Sequence, residues 1–196
     1  MSQGPDRTAD DDVRIARTRR DVGLAALKVL TDEGGDPLTH ARVASEAGYS
    51  RTTLYKHWPA RVDLVTLALE SVGRMPHGRR TGDARADLVA ELRSFRRAIV
   101  DARLDQILMA LAQWATIDEV AAIRDSIVED GEGVARAILA DFASGDELEA
   151  AVAMLSGVVV CPALMYGTVP SDVVIDHAVT IVLKAFGVIP VGQAST

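Results

Sequence analysis

A short run of residues, from Arg51 to His57, holds most of the side chains suited to contacting nucleic acid. The guanidinium fork of Arg51 matches the O6 and N7 acceptors of guanine in the major groove, and Thr52 can contact the methyl group of thymine. The other polar groups of the run are hydroxyl, ammonium and imidazole donors of the kind that bind phosphate oxygens. They belong to Thr53, Tyr55, Lys56 and His57. This set predicts a surface that reads double-stranded DNA.

Two short helices joined by a glycine turn are expected to position this run. Thr39 is the predicted N-cap of the first helix, whose amide-rich N-terminus also attracts phosphate. Gly48 is expected to provide a turn that a side chain would obstruct. Ser50 is the predicted N-cap of the second helix, which Leu54 and Trp58 anchor onto a core. The arrangement is that of a helix-turn-helix.

Apolar residues recur at intervals near 3.6 along the rest of the chain, and strand signals are nearly absent. We therefore expect an all-α fold of about nine helices, an N-terminal three-helix domain followed by a larger helical domain. The predicted segments are a disordered tail at 1–11, a helix-turn-helix domain at 12–58, a connecting helix at 59–72, a loop at 73–83 and a larger domain at 84–190. The loop has the composition of a solvated linker. Its Arg79 and Arg80 can still contact DNA or a partner.

Glycines, prolines and apolar content predict finer details of the helices. The first helix is expected to end at the breakers of residues 34–37. Residues 104–114 are apolar on almost every side, which predicts a helix buried all round. Gly131 and Gly133 are expected to loosen a long helix, and Pro162 to kink the next one.

Charge is divided unevenly along the 196-residue chain, whose net charge is −7. Residues 14–61 carry nine Lys/Arg and five Asp/Glu, a balance of +4. Residues 81–196 carry eight basic and seventeen acidic residues, a balance of −9. Because DNA affinity depends on the local surface, the acidic total does not argue against DNA binding.

Cysteine content and apolar runs restrict the environment of the protein. Cys161 is the single cysteine, which excludes an intramolecular disulfide and a cysteine-based zinc cluster. Aspartates at 6 and 10–12 occupy the place of the apolar core of a signal peptide. The apolar run from Val158 to Met165 is too short to span a bilayer. We therefore expect a cytoplasmic protein without a membrane partner.

Residues 38–64 resemble the TetR family of transcriptional repressors. Members usually have Phe in place of Trp58 and often Ile in place of Val43, and both departures keep an apolar anchor. Outside this segment the chain agrees with the family only in the number and length of its helices. The matching positions are Leu38-Thr39, Val43-Ala44-x-x-Ala47-Gly48-x-Ser50, Thr53-Leu54-Tyr55-x-His57-Trp58-Pro59 and Arg61-x-x-Leu64.

The resemblance implies a homodimeric repressor that is released from DNA by a small-molecule effector. Its two recognition helices would enter successive major grooves of a pseudo-palindromic double-stranded operator. Arg17, Arg19 and Arg20 near the start of the first helix would add backbone contacts. Ala41 lies where some relatives carry a base-reading polar side chain, so no contact is expected there. The implied phosphate contacts are Thr39, Thr53, Tyr55, His57 and Arg61; the base contacts are His40, Arg51 and Thr52, and Lys56 can serve either role.

Each of these assignments has a structural alternative. Tyr55 can pad the core of a small helical domain, and His57 can interact with the dipole at a helix C-terminus. Ser50 is expected to act as a cap rather than as a DNA contact. The arginines from Arg17 to Arg20 can form a solvated face.

The last two helices carry more apolar surface than one core needs. We expect the surplus to form a four-helix interface between two copies of the chain. A helix fully buried inside a monomer is the alternative. The residues concerned are Val158, Val159, Val160, Val174, Ile175, Val179, Ile181, Val182 and Phe186.

A pocket for a largely apolar effector is expected between the middle helices. Trp114 and Tyr166 are the strongest candidates because each brings a polar group to an apolar place. Cys161 is expected to be a buried structural cysteine, with thiol sensing as the alternative. In the family's manner, the effector would act by tilting the helix from Ala60 to Val72. The candidate lining residues are Phe95, Leu108, Met109, Leu111, Trp114, Phe142, Met154, Cys161, Met165 and Tyr166.

Two rival functions have little support in the residues. The GEGVAR sequence at 131–136 lacks the third glycine of a dinucleotide fingerprint, and HExxH, GxSxG and phosphate-loop motifs are absent. An enzyme and a bound cofactor are therefore not expected. His77 and His177 lie in different segments without ligand partners nearby, which argues against a metal site. The closer rival is a helical small-molecule-binding protein of the same fold without operator binding, and the run from Arg51 to His57 argues against it.

Overall fold

The computed structural model describes residues 6–32 and 38–189, with side chains from 13–31 and 38–189. Across these ranges the chain forms nine α-helices and no β-strand, which confirms the predicted fold class. The helices are α1 (Asp6–Asp32), α2 (His40–Ala47), α3 (Arg51–His57), α4 (Arg61–Glu70), α5 (Ala84–Asp101), α6 (Leu104–Gln113), α7 (Asp118–Leu139), α8 (Gly145–Tyr166) and α9 (Asp172–Ala185).

The first helix starts earlier than the periodicity predicts. It begins at Asp6, so residues 6–11 of the predicted disordered tail are helical. This part of the sequence is rich in aspartate, and acidic residues are favoured near a helix N-terminus. Residues 1–5 and the predicted breakers at 34–37 lie outside the described residues.

The chain divides into two compact units, and each unit contains residues from both sides of the predicted boundary at 73–83 or from two separate stretches of the chain. The first unit comprises residues 1–73 and 106–123, and the second comprises residues 74–105 and 124–196. Most of α6 and the start of α7 therefore group with the N-terminal helices. Apolar periodicity along the chain carries no information about such a grouping.

In the first unit, α1 packs against α2 and α4. Val22, Ala26 and Leu64 are completely buried there. Gly23 permits a close approach of α1 to α4, because a Cβ atom at this position would lie 2.4 Å from Oγ of Ser71. The backbone carbonyl oxygen of α4 at position 67 would lie 3.1 Å away. A larger residue would push the two helices apart.

In the second unit, α5 packs against α8 and α9. Leu88 of α5, Val159 of α8 and Val179 of α9 are completely buried. Ion pairs join α5 to the N-terminal half of α9, such as Arg85 to Asp176 at 2.5 Å. Because exposed pairs of this kind contribute little free energy, the apolar contacts carry the stability of this packing.

Residues 74–83, here called the strap, are mostly exposed, as expected of a loop, but hydrogen bonds to α5 and α7 fix part of their path. The segment forms no helix, but three carboxylates bind its backbone amides at 2.9–3.1 Å. These side chains satisfy the backbone donors of residues 75, 78, 81 and 82. The pairs are Asp87 with Thr81 and Gly82, Glu91 with Gly78, and Asp130 with Met75.

Two helices depart from their predicted details. Met109 on α6 is exposed, so this helix is not buried all round in the single chain. Helix α7 runs unbroken past Gly131 and Gly133, because a glycine costs a packed helix only about 1 kcal/mol. Helix α8 continues as helix through Pro162, and the kink expected there stays a prediction.

Helix α8 is longer than the apolar run noticed in the sequence. Within the described ranges it is the one helix with the length and composition to cross a membrane, and 22% of its most apolar stretch is buried in this chain. Its N-terminal turn carries Asp146 and Glu147. The helix therefore has an extensive apolar surface that a single copy leaves uncovered.

Candidate nucleic-acid interface

Both helices of the helix-turn-helix begin at polar caps, as predicted. The Thr39 hydroxyl accepts a hydrogen bond from the Arg42 amide at 3.3 Å, and the Ser50 hydroxyl accepts one from the Thr53 amide at 3.1 Å. Each bond satisfies an amide that the first turn of a helix leaves without a partner. The caps therefore fix where α2 and α3 begin, and with them the direction of the side chains on the first turn of α3.

Gly48 ends α2 in the left-handed region, with φ of 73°. Nothing lies within 4 Å of the position that a Cβ atom would occupy. The expectation that a side chain would obstruct the turn is therefore wrong. The backbone angle favours glycine here, because other residues are strained at positive φ.

Helix α3 has one buried anchor and an exposed polar face. Leu54 is completely buried, which fixes the rotation of the helix against the core. Tyr55 is 54% exposed, so it does not pad the core. The Thr53 hydroxyl is half-buried and lies 2.8 Å from the Ser50 hydroxyl, which leaves it oriented rather than free. The exposed residues of α3 are Arg51, Thr52, Tyr55, Lys56 and His57.

His40, predicted to contact a base, is instead 8% exposed and holds the two helices together. Its Nε2 atom lies 2.6 Å from the carbonyl oxygen of Trp58, the residue that follows α3. Its ring stacks on Tyr55 with centroids 4.1 Å apart and planes at 13°. The first position of α2 therefore locks the end of α3 and supports the exposed Tyr55 ring from below. The expectation of a base contact from His40 conflicts with this burial.

Two polar contacts tie α1 to the helix-turn-helix, and the sequence did not single them out. Lys28 of α1 lies 2.6 Å from Glu46 of α2. The Tyr49 hydroxyl donates to Asp21 of α1 at 3.1 Å. A tyrosine directly after the Gly48 turn was the signal available for the second contact, because a half-buried ring with a hydroxyl needs a polar partner.

The arginines near the start of α1 divide into different environments. Arg19, predicted to contact the DNA backbone, lies 2.6 Å from Glu70 at the end of α4. Arg17 and Arg20 are exposed, and Arg17 lies 3.9 Å from Asp21 on the next turn. All three arginines are exposed, as a phosphate contact needs, and Arg19 in addition links α1 to α4.

Arg61, a predicted phosphate contact, begins α4 and is exposed. Its guanidinium carbon lies 5.8 Å from the ring centroid of Trp114, a separation at which a cation attracts an aromatic face. Trp114 follows α6 and belongs to the same compact unit. The first turn after the helix-turn-helix therefore contacts the end of α6.

Helix α3 itself contributes no acidic side chain to this surface, although the exposed Glu119 lines a cleft together with His57. The sequence of α3 contains no aspartate or glutamate. Glu46 on α2 is paired with Lys28, and the Asp63 carboxylate accepts the Ala60 amide at 2.8 Å. Arg51 and Lys56 are exposed beside these compensated carboxylates. The exposed face therefore carries a positive charge that suits an anionic partner.

None of the candidate pocket residues lines a cleft of about 470 Å³ in the first unit or the clefts of about 320 and 210 Å³ in the second. Met165 and Tyr166 are 72% and 77% exposed, so they do not line an enclosed pocket of the single chain. Cys161 is also exposed, and the prediction of a buried cysteine is wrong. The helical repeat explains this: it turns Val152 and Val159 into the core and places Cys161 on another face. The remaining members of the predicted pocket stay a prediction.

Sequence comparison shows that this chain is similar to bacterial transcriptional regulators. The family model described as "Bacterial regulatory proteins, tetR family" matches residues 24–67, which run from the second half of α1 into α4. The chain is 28% identical over 134 residues to the uncharacterized HTH-type transcriptional regulators Mb1581 of Mycobacterium bovis and Rv1556 of Mycobacterium tuberculosis. The match covers 62% of this chain and 65% of each relative, slightly under two thirds of their length.

Solved structures extend the similarity beyond the helix-turn-helix. The TetR family transcription regulator SCO0332 is 29% identical, with a TM-score of 0.54 over 88% of this chain and 99% of that one. A putative TetR-family regulator from Mesorhizobium loti has a TM-score of 0.58 at 16% identity, over 87% of this chain and 96% of that one. A TetR regulator from Agrobacterium tumefaciens has a TM-score of 0.53 at 19% identity, over 86% and 93%. The last two likenesses concern the fold. Together with the caps, the buried anchor and the polar face of α3, these similarities show that residues 24–67 resemble the helix-turn-helix of TetR-family bacterial transcriptional regulators.

Proposed function

We propose that this protein binds a specific double-stranded operator by placing α3 in the major groove. The observation that supports the proposal most is the orientation of α3. Leu54 fixes the helix on the core while Arg51, Thr52, Tyr55 and Lys56 remain exposed on a helix that contains no acidic residue. Helices that read DNA use their N-terminal residues on base edges, and α3 begins with Arg51 and Thr52.

Within this proposal the side chains of the interface have different tasks. Arg51 and Thr52 contact bases, and Lys56 contacts a base or a phosphate. His40 is a positioning residue, because it is buried against Trp58 and Tyr55. Arg61 contacts phosphate only if its guanidinium leaves or extends past the Trp114 ring. The phosphate contacts are Thr39, Thr53, Tyr55 and His57.

A homodimer through α8 and α9 supplies the second reading helix in this proposal. Both helices leave large apolar side chains exposed at helical spacing, while Val159 and Val179 on their other faces are buried in the chain's own core. Contiguous apolar surface of this kind marks an interaction site. The exposed members are Met154, Leu164 and Met165 on α8, and Val173, Val174 and Ile181 on α9.

We further propose that the protein is a cytoplasmic repressor that a small molecule releases from its operator. This is the usual behaviour that the family resemblance implies. The contact between Arg61 and Trp114 offers a route, since a change at the end of α6 alters the start of α4. A helical small-molecule-binding protein without operator binding is the second candidate, and the intact polar face of α3 disfavours it.

Binding to DNA that flanks the protein's own coding region tests the proposal. Fluorescence anisotropy should show specific binding that weakens steeply as salt rises, because phosphate contacts release counterions. Lys56→Ala should reduce the slope of log K against log salt by about two per dimer, one for each copy, if Lys56 contacts phosphate.

The control is Arg124→Ala, which removes one positive charge per copy from α7, where Arg124 pairs with the neighbouring Asp125. This variant should leave the salt slope unchanged. Equal effects of Lys56→Ala and Arg124→Ala would show that only the overall charge matters, and would contradict the assignment of α3 to the DNA.

A further inference from the structure

A cleft of about 320 Å³ lies between the strap and α5 in the second unit. Strap residues 76–78 form one wall, and Ala90, Arg93, Ser94 and Arg97 of α5 form the other. These four residues lie at helical spacing, so they share one face of α5. None of the lining residues is acidic, and two of them are arginines. The cleft therefore combines a small-molecule volume with an excess of positive charge.

The walls of the cleft are held in place by hydrogen bonds that do not use the two arginines. The Ser94 hydroxyl donates to the Pro76 carbonyl, and the His77 ring contacts the Glu91 carboxylate at 2.9 Å. The Gly78 amide donates to the other oxygen of Glu91 at 2.9 Å. Both oxygens of this buried carboxylate are thus occupied beneath the strap, which limits its repulsion of an anion in the cleft.

The two arginines are unequally satisfied. Nη2 of Arg93 lies 3.2 Å from Asp172, but this carboxylate is shared with Arg96, which lies closer at 2.6 Å. Nε of Arg93 is buried and has no hydrogen-bond partner, alone among the buried side-chain nitrogens and oxygens that the structure describes. Arg97 is exposed, and no hydrogen bond or ion pair is observed for it in the described part of the chain. A buried donor without an acceptor is costly, so an acceptor placed beside Arg93 would stabilise this part of the structure.

We propose that this cleft is a binding site for the oxyanion group, carboxylate or phosphate, of a small molecule. Planar guanidinium groups bind such oxygens with directed, charge-assisted hydrogen bonds. Arg97 supplies an uncompensated charge at the opening, and Arg93 supplies the unsatisfied N–H. The apolar surfaces of Pro76 and Ala90 flank the site and suit the carbon skeleton of a small organic acid. This site is separate from the predicted apolar effector pocket and does not depend on operator binding.

Calorimetric titration of the full-length protein tests the proposal, at constant ionic strength and without DNA. The probes are benzoate, inorganic phosphate and the neutral benzamide. At least one of the anions should bind saturably and benzamide should not; the anion that binds identifies the headgroup. Arg97→Ala should weaken binding about tenfold or more, as expected for the loss of a charged hydrogen bond. The control Arg79→Ala removes an exposed arginine of the strap that does not line the cleft, and should change affinity little.

The Nε–H resonance of Arg93 gives a second readout that a general charge effect would not move. Arg93→Lys keeps the charge but removes this group, so the resonance that disappears in the variant belongs to Arg93. In the wild-type protein it should shift as the anion is added. The proposal is overturned if neither anion binds saturably or if benzamide binds as well as the anions. It is also overturned if Arg97→Ala and Arg79→Ala have equal effects, or if the Arg93 resonance does not move.

Discussion

Replacing His40 by alanine separates a positioning role from a base-reading role at the start of α2. The substitution removes a hydrogen bond to the Trp58 carbonyl, worth about 0.5–1.5 kcal/mol, and a ring stack on Tyr55, worth about 0.5–1.5 kcal/mol. We therefore expect His40→Ala to lower the free energy of unfolding by about 1–3 kcal/mol. DNA affinity should also fall, because the end of α3 and the Tyr55 ring lose their support.

Arg51→Ala is the matched comparison, because Arg51 is exposed on the same helix-turn-helix. An exposed substitution away from packing contacts changes stability by at most about 0.5 kcal/mol. A base contact from arginine to guanine discriminates by about 1–3 kcal/mol, so this variant should relax the preference at particular base pairs. The two variants are thus expected to change different properties. His40→Ala should lower the free energy of unfolding, and Arg51→Ala should relax the sequence preference.

Equilibrium urea unfolding at one fixed protein concentration measures the first effect, since a dimer's stability depends on concentration. Selection of bound sequences from a randomised DNA pool measures the second. The reasoning fails if His40→Ala unfolds like the wild type and changes the selected base at one position. That result would mean that His40 leaves its buried site to read DNA.

Three further outcomes follow from the caps, the strap and the apolar faces. Ser50→Ala should cost about 0.5–2 kcal/mol in urea unfolding and weaken DNA binding without altering the selected sequence; a changed sequence would contradict its role as a cap. Hydrogen bonds from the Thr81 hydroxyl and amide lower the pKa of Asp87 below its ordinary 3.8. The contribution of ionised Asp87 to the free energy of unfolding is therefore present above pH 3.8 and lost as the pH falls further. The loss of stability caused by Asp87→Asn should accordingly shrink below that pH; a loss that does not change with pH would refute this role. Ile181→Glu should yield monomers in sedimentation, whereas the control Leu24→Glu on α1 should leave the dimer intact. If both variants sediment as dimers, the α8–α9 interface is wrong.

The elements of the helix-turn-helix could be predicted because each has a local signal. Thr39 and Ser50 are caps that act on amides within their own helix, and Leu54 is the one aliphatic residue among the polar side chains of α3. Gly48 was correctly predicted to form the turn after α2. The turn needs glycine because its φ is positive, not because a side chain would lack space. Local rules succeed where the partner of a residue lies within about one turn of helix.

Contacts between distant residues account for what the sequence did not predict. His40 looks like an exposed polar residue until Trp58, 18 residues later, supplies a carbonyl oxygen beside it. The strap has the glycine, proline and charge content of a linker, yet carboxylates of α5 and α7 bind several of its amides. Cys161 lies in an apolar run, but its position on the helical repeat turns it away from the core. Composition and periodicity do not encode such pairings.

Selection of DNA ligands from a randomised pool by the wild-type protein tests the central claim most directly. The account predicts one enriched motif with two inverted half-sites about one helical turn apart, because two copies of α3 must enter successive major grooves. Arg51→Ala should lose the preference at the same position in both halves. The absence of any enriched sequence, or enrichment of a single half-site unaffected by Arg51→Ala, would contradict the assignment of α3 as the reading helix of a dimeric regulator.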